Sequence, residues 1–440
     1  MLENKFLPNL RDMNLSHSEH LIKIPNFSEV PNLERLNLKG CIRLARINPS
    51  IGRLTKLVSL NLENCKALVS IPENVLRISS LETLNLSSCS NLQQLVVVKP
   101  RHVNHLNITD TSETTIHRQS TPSIDKMPCV HSLWPSLPKF PHLLDLDLSF
   151  CNLLRIPDDI GSLHCLESLN LGGNRFASLP ARSFKELLAL RYLNLEHCKQ
   201  LKYLPELPSH TVLPTSRRTT YWFLGLIIYD CPNLCDVEHC YSVALSWMIR
   251  IIEMEMRSPL PWCRIFITIP GSQIRRWCDK QNVGQSIRMD PYSSMQDNNW
   301  IGVACCATFV AHGAPTRTRY YPDPLPTILI QLQKNNLSLD FVFPMRLDKN
   351  LVTVESDHLV LCFITRKMFI DFLSYETKLE EAELDLDGLE IVVEPPTRSG
   401  LRFEVKNCGY RWLFEGDLEQ LKATTKGESS SIRKRKFLTL

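Results

Sequence analysis

The pattern L-x-x-L-x-L-x-x-C recurs along the first half of this 440-residue chain, and it constrains the fold more than any other feature. It reads "LERLNLKGC", "LVSLNLENC", "LETLNLSSC", "LLDLDLSFC" and "LRYLNLEHC", with variants "LRDMNLSHS", "VNHLNITDT", "LESLNLGGN" and "FLGLIIYDC". The first positions are Leu10, Leu33, Leu57, Leu81, Val103, Leu143, Leu166, Leu190 and Phe223, so six of the eight intervals fall between 22 and 24 residues. That is a leucine-rich-repeat period. Each unit's alternating apolar residues predict a short strand with its inner side packed, stacked in parallel on its neighbours, so that the outward residues line a concave face.

The position that closes the pattern is Cys41, Cys65, Cys89, Cys151, Cys198 and Cys231, with Asn174, Ser18 and Thr111 elsewhere. Small weak donors are expected there because the chain turns inward past buried backbone carbonyls. Six of the sixteen cysteines thus share one structural position, and in a chain this long sixteen are not dense enough to suggest a disulfide scaffold, so a reducing compartment suits them. Elements such as "LIKIP", "LVSIP", "LLRIP", "FASLP" and "LKYLP" follow the strands, and their prolines stop ladder pairing on the convex side. The central outward position is Asn in seven repeats (Asn14, Asn37, Asn61, Asn85, Asn107, Asn170, Asn194), which predicts a hydrogen-bonded ladder of adjacent amides.

Two insertions interrupt the period, near 111–140 and 208–221, both rich in loop-forming residues; Arg217 and Arg218 in the second are read as solvated charge or as a contact for an acidic partner. After Cys240 the repeat gives way to short apolar runs punctuated by turns, among them "RIFITIP", "NWIGVACCATFV" and "HLVLCFI", which predict a separate β-sandwich over 241–415. Residues 416–440 end in Arg433, Lys434, Arg435 and Lys436 and read as a disordered basic tail. The expected organisation is thus an α/β leucine-rich-repeat solenoid over 1–240, short parallel strands lining its concave face, followed by a mostly β domain.

No catalytic signature is present: H-E-x-x-H, G-x-S-x-G, G-x-G-x-x-G and the phosphate-cradling G-x-x-x-x-G-K-[ST] loop are all missing, so no cofactor, ADP or ATP site is expected in this chain. Cys231, Cys235, His239 and Cys240 could offer zinc ligands, but Cys231 already belongs to the ladder and the spacing lacks paired C-x-x-C knuckles, so no metal is expected. A formal charge of +4 is too small an electrostatic footprint for nucleic acid. No apolar run approaches a membrane span, and the N-terminus lacks a signal-peptide pattern. Binding to another protein remains. Large or charged side chains on outward strand positions are the candidates, since such groups dominate interface energetics: Arg35, Lys39, Glu63, Phe150, Arg191, Tyr192, His197 and Tyr229. Arg191, Tyr192, His197 and Tyr229 lie toward the second domain and form the leading site.

These repeats, with their Cys positions and "IP" elements, resemble the repeat region of plant intracellular disease-resistance proteins of the Toll/interleukin-receptor, nucleotide-binding, leucine-rich-repeat class. The remainder resembles that class's C-terminal jelly-roll and Ig-like domain through "IPGSQIRRWCDKQNVGQSIRM" (Pro270, Gly271, Ser272, Trp277), "NWIGVACCATF" (Gly302), "SDHLVLCF" (Asp357, His358, Leu359) and "VKNCGYRWLF" (Cys408, Gly409). Arg275 stands where the family usually has Pro, and Cys278 where it has an aromatic residue. The resemblance implies recognition of a pathogen effector or a modified host protein, with a full-length immune receptor as a further partner, and a cytoplasmic location; the basic run Arg433, Lys434, Arg435 and Lys436 is read as solvated tail or as a nuclear address. It also implies that the NAD-cleaving and nucleotide-switch domains of the class are not encoded in these residues. Met1 falls just before the first strand, so a fragment or short form is expected, with the first repeat's apolar edge exposed and solubility poor. The competing readings are a free-standing adaptor or decoy and an extracellular receptor-like repeat protein. Five N-x-[ST] sequons favour the latter, but three sit on strands, where glycans would obstruct the concave face.

Overall fold

The computed structural model describes residues 6–72, 74–75, 78–92, 140–208, 223–257, 264–274, 278–290, 299–312, 327–334, 337–344, 356–377, 388–394 and 402–423. The insert at 111–139, that at 209–221, residues 424–440 of the expected tail and Trp277 lie outside them. The chain divides into two compact units, Met1–His142 and Leu143–Leu440.

In the first unit four three-residue strands stack in parallel: β1 (Asp12–Asn14), β2 (Arg35–Asn37), β3 (Ser59–Asn61) and β4 (Thr83–Asn85). Register follows the repeat, so Leu36, Leu60 and Leu84 are in line and point inward. Each strand ends where its Asn turns its own side chain onto the backbone. Asn14, Asn37, Asn61 and Asn85 each accept from the N–H two residues on, at 2.9–3.0 Å. In this unit the expected amide ladder gives way to a column of Asx turns, whereas in the second unit Asn170 makes the same turn with Oδ1 and also donates from Nδ2 to Asp147 of the adjacent repeat at 3.1 Å. The convex side is closed by 3-10 turns at Phe27–Glu29 and Pro49–Arg53, whose Asn26 and Asn48 caps accept from Ser28 and Ser50.

The residue before each ladder Cys (or its Ser or Asn equivalent) adopts a left-handed backbone in both units: His17, Gly40, Asn64, Ser88, Phe150, Gly173, His197 and Asp230, with φ from 52° to 72°. This kink lets the chain turn inward while the residue's N–H still bonds the next repeat, as His17 to Lys39 O and His197 to Tyr229 O. The following thiol is buried and donates to a carbonyl of the preceding repeat: Cys41 to Leu15, Cys65 to Leu38, Cys89 to Leu62, Cys198 to Leu171 and Cys231 to Leu195, at 3.1–3.4 Å. Asn174 does the same work with Nδ2 on Leu148 and Leu171. Burial pushes the Cys65 and Cys198 thiols up to about 12, which cuts the reactive thiolate fraction by about a thousandfold. Alkylation of the native protein mapped by mass spectrometry is expected to modify exposed Cys235 and half-buried Cys165 first. Cys65 reacting as fast as Cys235 would contradict this packing.

The second unit repeats the pattern in β5 (Asp145–Asp147), β6 (Ser168–Asn170), β7 (Tyr192–Asn194) and β8 (Phe223–Ile227), with a short helix α1 (Ala181–Glu186) on the convex side. Beyond β8 the chain enters a 21-residue helix, α2 (Val237–Arg257), and returns as β9 (Arg264–Pro270), which pairs in parallel with β8. A helix buried along most of its length thus serves as the convex segment of one more repeat. The expected boundary at 240–241 falls inside α2, and the β region is joined to the repeats through a shared sheet rather than standing apart.

From β9 the sheet becomes antiparallel through β15 (Asp357–Thr365), β12 (Trp300–His312), β17 (Arg402–Phe414) and β10 (Lys280–Val283). A second sheet, β11 (Ser286–Arg288), β16 (Glu390–Glu394), β13 (Thr327–Lys334) and β14 (Leu337–Pro344), gives the other wall of a sandwich. Alternation along β12 and β15 sends Val303, Cys305, Ala307, Phe309, Val360, Cys362 and Ile364 into one core with Ile330, Leu332, Ile391 and Val393, joined by helix α3 (Arg366–Thr377) through Phe369. Residues 415–423, where the tail was expected to begin, are helical instead. Leu418 and Leu421 are buried there and Lys422 pairs with Glu253 of α2.

Candidate functional site

On the concave strands of the first unit the predicted contact residues Arg35, Lys39 and Glu63 are accessible but already engaged with one another's neighbours. Arg35 pairs with Asp12, Arg11 with Glu34, and Lys39 with Glu63 at 3.0 Å. The hydrogen bond from Arg35 holds the Asp12 carboxyl below its usual range. Repeat stacking places position against equivalent position, so opposite charges one repeat apart meet without any partner. The pairs are exposed and carry little stability individually.

The leading cluster in the second unit is interior. Arg191 is 1% exposed, His197 4% and Tyr229 2%, while Tyr192 is half-buried against the sandwich core. Arg191, His197 and Tyr229 are corrected from surface contacts to packing residues, while Tyr192 keeps part of its surface accessible. For Tyr229 the reason is β9: because the sheet runs on past β8, outward side chains of the last repeats become one wall of the sandwich, and Ile227 and Tyr229 join its core, with His197 edge-on to Tyr229. Phe150 is half-buried, its ring lying where a Cβ on Gly173 would sit and 6.4 Å from the His197 ring.

Around Tyr229 the structure gathers a polar and aromatic cluster. Tyr229 lies 4.6 Å from His358, 5.6 Å from His197 and 6.5 Å from Phe309 by ring centroids. His197 Nδ1 meets Asp230 Oδ2 at 2.8 Å, and Lys199 Nζ approaches the same oxygen at 3.8 Å. The Asp230 backbone N–H donates to His358 Nε2 at 3.2 Å, while His358 Nδ1 donates to Ser356 O at 2.9 Å. Those two bonds assign His358 as the neutral Nδ1–H tautomer. Burial lowers it to about 4, against the opposing pull of the Ser356 carbonyl, Asp230 and Asp357. His358 was visible beforehand only as part of "SDHLVLCF"; its bond to Asp230, 128 residues away, is tertiary.

Arg191 faces a different neighbourhood. Burial raises the Glu167 carboxyl above its usual range against the opposing field of Arg191, and that field adds to the burial that brings Arg250 of α2 down to about 10. Arg250 donates to Leu188 O at 2.7 Å and stacks over Trp247.

The C-terminal motif residues hold close backbone approaches. A Cβ on Gly302 would meet Ile364 O at 2.3 Å, and one on Gly409 would meet Lys280 O at 2.6 Å. Cys408 is fully buried, and Pro270 ends β9 opposite His358. Gly271 N donates to Asp357 O at 3.0 Å, Ser272 is exposed, and Cys278 meets Cys306 of β12 sulfur to sulfur. Cys231 and His239 are committed to the carbonyls of Leu195 and Leu204. Among the described residues no group of three His, Cys, Asp or Glu is arranged to hold a metal ion, and no helix is long and apolar enough to cross a membrane.

A family model described as leucine rich repeat matches residues 141–199. The disease resistance-like protein DSC1 of Arabidopsis thaliana is 29% identical over 187 residues, 37% of this chain and 15% of that protein. Disease resistance protein RPS4B of the same plant is 22% identical along 94% of this chain and 37% of its own length, and TMV resistance protein N of Nicotiana glutinosa is 44% identical over 18% of this chain and 7% of its own. This chain therefore spans well under half of these relatives. The leucine-rich-repeat domain of the type III effector XCV3220 (XopL) is a loose structural likeness, with a TM-score of 0.38 at 19% identity over 55% of this chain and 68% of that one. The chain contains leucine-rich repeats, and the proteins to which it is similar are plant disease-resistance proteins.

Proposed function

We propose that this chain is the partner-recognising portion of a plant intracellular immune receptor, binding a pathogen effector or a host protein modified by one. The observation that carries the reading is the similarity to a single disease-resistance protein along 94% of the chain, which takes in the repeats and the β region alike. The β region is then that class's C-terminal jelly-roll and Ig-like domain. Stacked repeats offer large accessible surfaces for protein ligands and need no cofactor or bound nucleotide to do so. The role is binding and not catalysis, in the cytoplasm or nucleus, and a full-length receptor is a natural second partner.

The test is co-precipitation of tagged pathogen effectors, each alone and with its host target, with the tagged full chain from leaf tissue, followed by measurement of direct affinity. At least one saturable complex is expected. Association with none, by a chain shown to be folded, would sink the reading. An antibody to the β region separates the remaining alternative: a native band far above 50.6 kDa marks a receptor portion, whereas one near 50.6 kDa marks a free-standing adaptor or decoy.

A further inference from the structure

The charges of the first unit are distributed unevenly between two of its faces. On the concave strands the cations are matched, as Arg11 to Glu34, Arg35 to Asp12 and Lys39 to Glu63. On the flank that follows each ladder position they are not. Segments 18–25, 41–48 and 65–72 present Lys23, Arg43, Arg46 and Lys66, all exposed and none in an ion pair among the described residues, against one carboxylate, Glu19. These segments are in ladder register, Lys23 bridging to Arg46 and Arg46 to Ser70 in parallel. Lys23 and Arg46 are therefore like charges directly opposite one another, roughly 4.8 Å apart at the backbone, an arrangement that costs stability. No ion pair among the described residues offsets it.

The same flank exposes apolar side chains in a second aligned column. Ile22 is 52% exposed and Val69 41%, with half-buried Ala45 between them at the equivalent position. Cations beside a short apolar stripe match a ligand that carries carboxylates and aliphatic groups together. A nucleic acid backbone would leave Ile22 and Val69 uncovered, and it would be better served by a denser basic array.

We propose that this flank, built on Lys23, Arg43, Arg46 and Lys66 around Ile22 and Val69, is a docking surface for an acidic protein segment whose carboxylates alternate with aliphatic residues. Charge complementarity and the Lys23–Arg46 repulsion both favour such an occupant. The surface is separate from the concave face, and the proposal is independent of what the chain senses.

Fluorescence anisotropy of the full chain with a labelled peptide of about ten residues, alternating Glu and Leu, tests it. Binding should weaken at least about tenfold in the Arg43→Glu/Arg46→Glu double variant, and comparably on raising salt from about 0.05 to 0.5 M, where screening shortens to a few ångströms. Ile22→Ala/Val69→Ala should weaken it several-fold, and Lys39→Glu on the concave face should leave it within twofold. Ile22, Arg43, Arg46 and Val69 are exposed and Lys39 is half-buried, and unchanged melting confirms that each variant is folded. The proposal is overturned by absence of peptide binding, by an equal loss with Lys39→Glu, or by a single-stranded oligonucleotide of equal charge competing as well as unlabelled peptide.

Discussion

Gly225→Ala is expected to destabilise the second unit by at least about 3 kcal/mol, because among the described glycines an added Cβ has its closest approach there. Gly225 sits in the middle of β8 with φ of 146°, in register with Phe266 of β9, and an added Cβ would lie 1.6 Å from the Phe266 carbonyl oxygen. That oxygen belongs to backbone in a paired strand and cannot swing aside, so β9 must separate from β8. Separation exposes Ile227 and Tyr229, which belong to the sandwich core. Gly388→Ala is the control, since Gly388 has φ of 77° but open space around its Cα. It should cost only the backbone penalty of about 1 kcal/mol. Urea unfolding followed by the fluorescence of buried Trp247, Trp300 and Trp412 reads the second unit directly. Equal midpoints for the two variants would mean that β8 and β9 are not in contact.

Acidification should weaken the same unit through His358. Its proton affinity is about 4 in the folded chain and 6.5 when unfolded, because burial disfavours the imidazolium. Between those values the unfolded state binds more protons, so stability is fully present above pH 6.5 and is lost as pH falls toward 4. The difference corresponds to about 3 kcal/mol. The structural cause is specific: a proton on Nε2 would face the Asp230 N–H that this nitrogen now accepts. Carboxylates also titrate at the acid end, so the measurement is a difference between native protein and His358→Gln in urea midpoints at about pH 7 and about pH 4.5. The variant is expected to be less stable at pH 7 by about 1–2 kcal/mol and to lose the His358 share of the pH dependence. Parallel pH profiles for the two proteins would refute the neutral, bonded His358.

What could be read beforehand is unequal across the chain, and the division has a physical origin. The strands β1–β7 follow from a period that puts a leucine in the same place every 22–24 residues, and burial of each unit is decided by its immediate neighbours. The ladder cysteines share that locality. Less legible was the left-handed residue before each of them: the column reads His, Gly, Asn, Ser, Phe, Gly, His, Asp, and only its glycines and asparagine hint at positive φ. The Asn column was visible as a column, but whether each amide reaches its neighbour or its own backbone depends on the turn that follows.

The fate of His197 and Tyr229 could not be read from alternation at all. Alternation says only that a side chain leaves the inner face of a repeat; it does not say what lies outside. Here a strand 39 to 45 residues beyond β8's midpoint pairs with it, extends the sheet and turns an outward face into a core wall. Gly225 was the local trace of that approach, a glycine where the pattern allows any residue. The sequence by itself determined the repeat, its inner leucines and its thiol column, because these depend on contacts one period apart. Tertiary structure alone decided which outward residues stay available to a partner, because that depends on pairing between segments whose separation no period records.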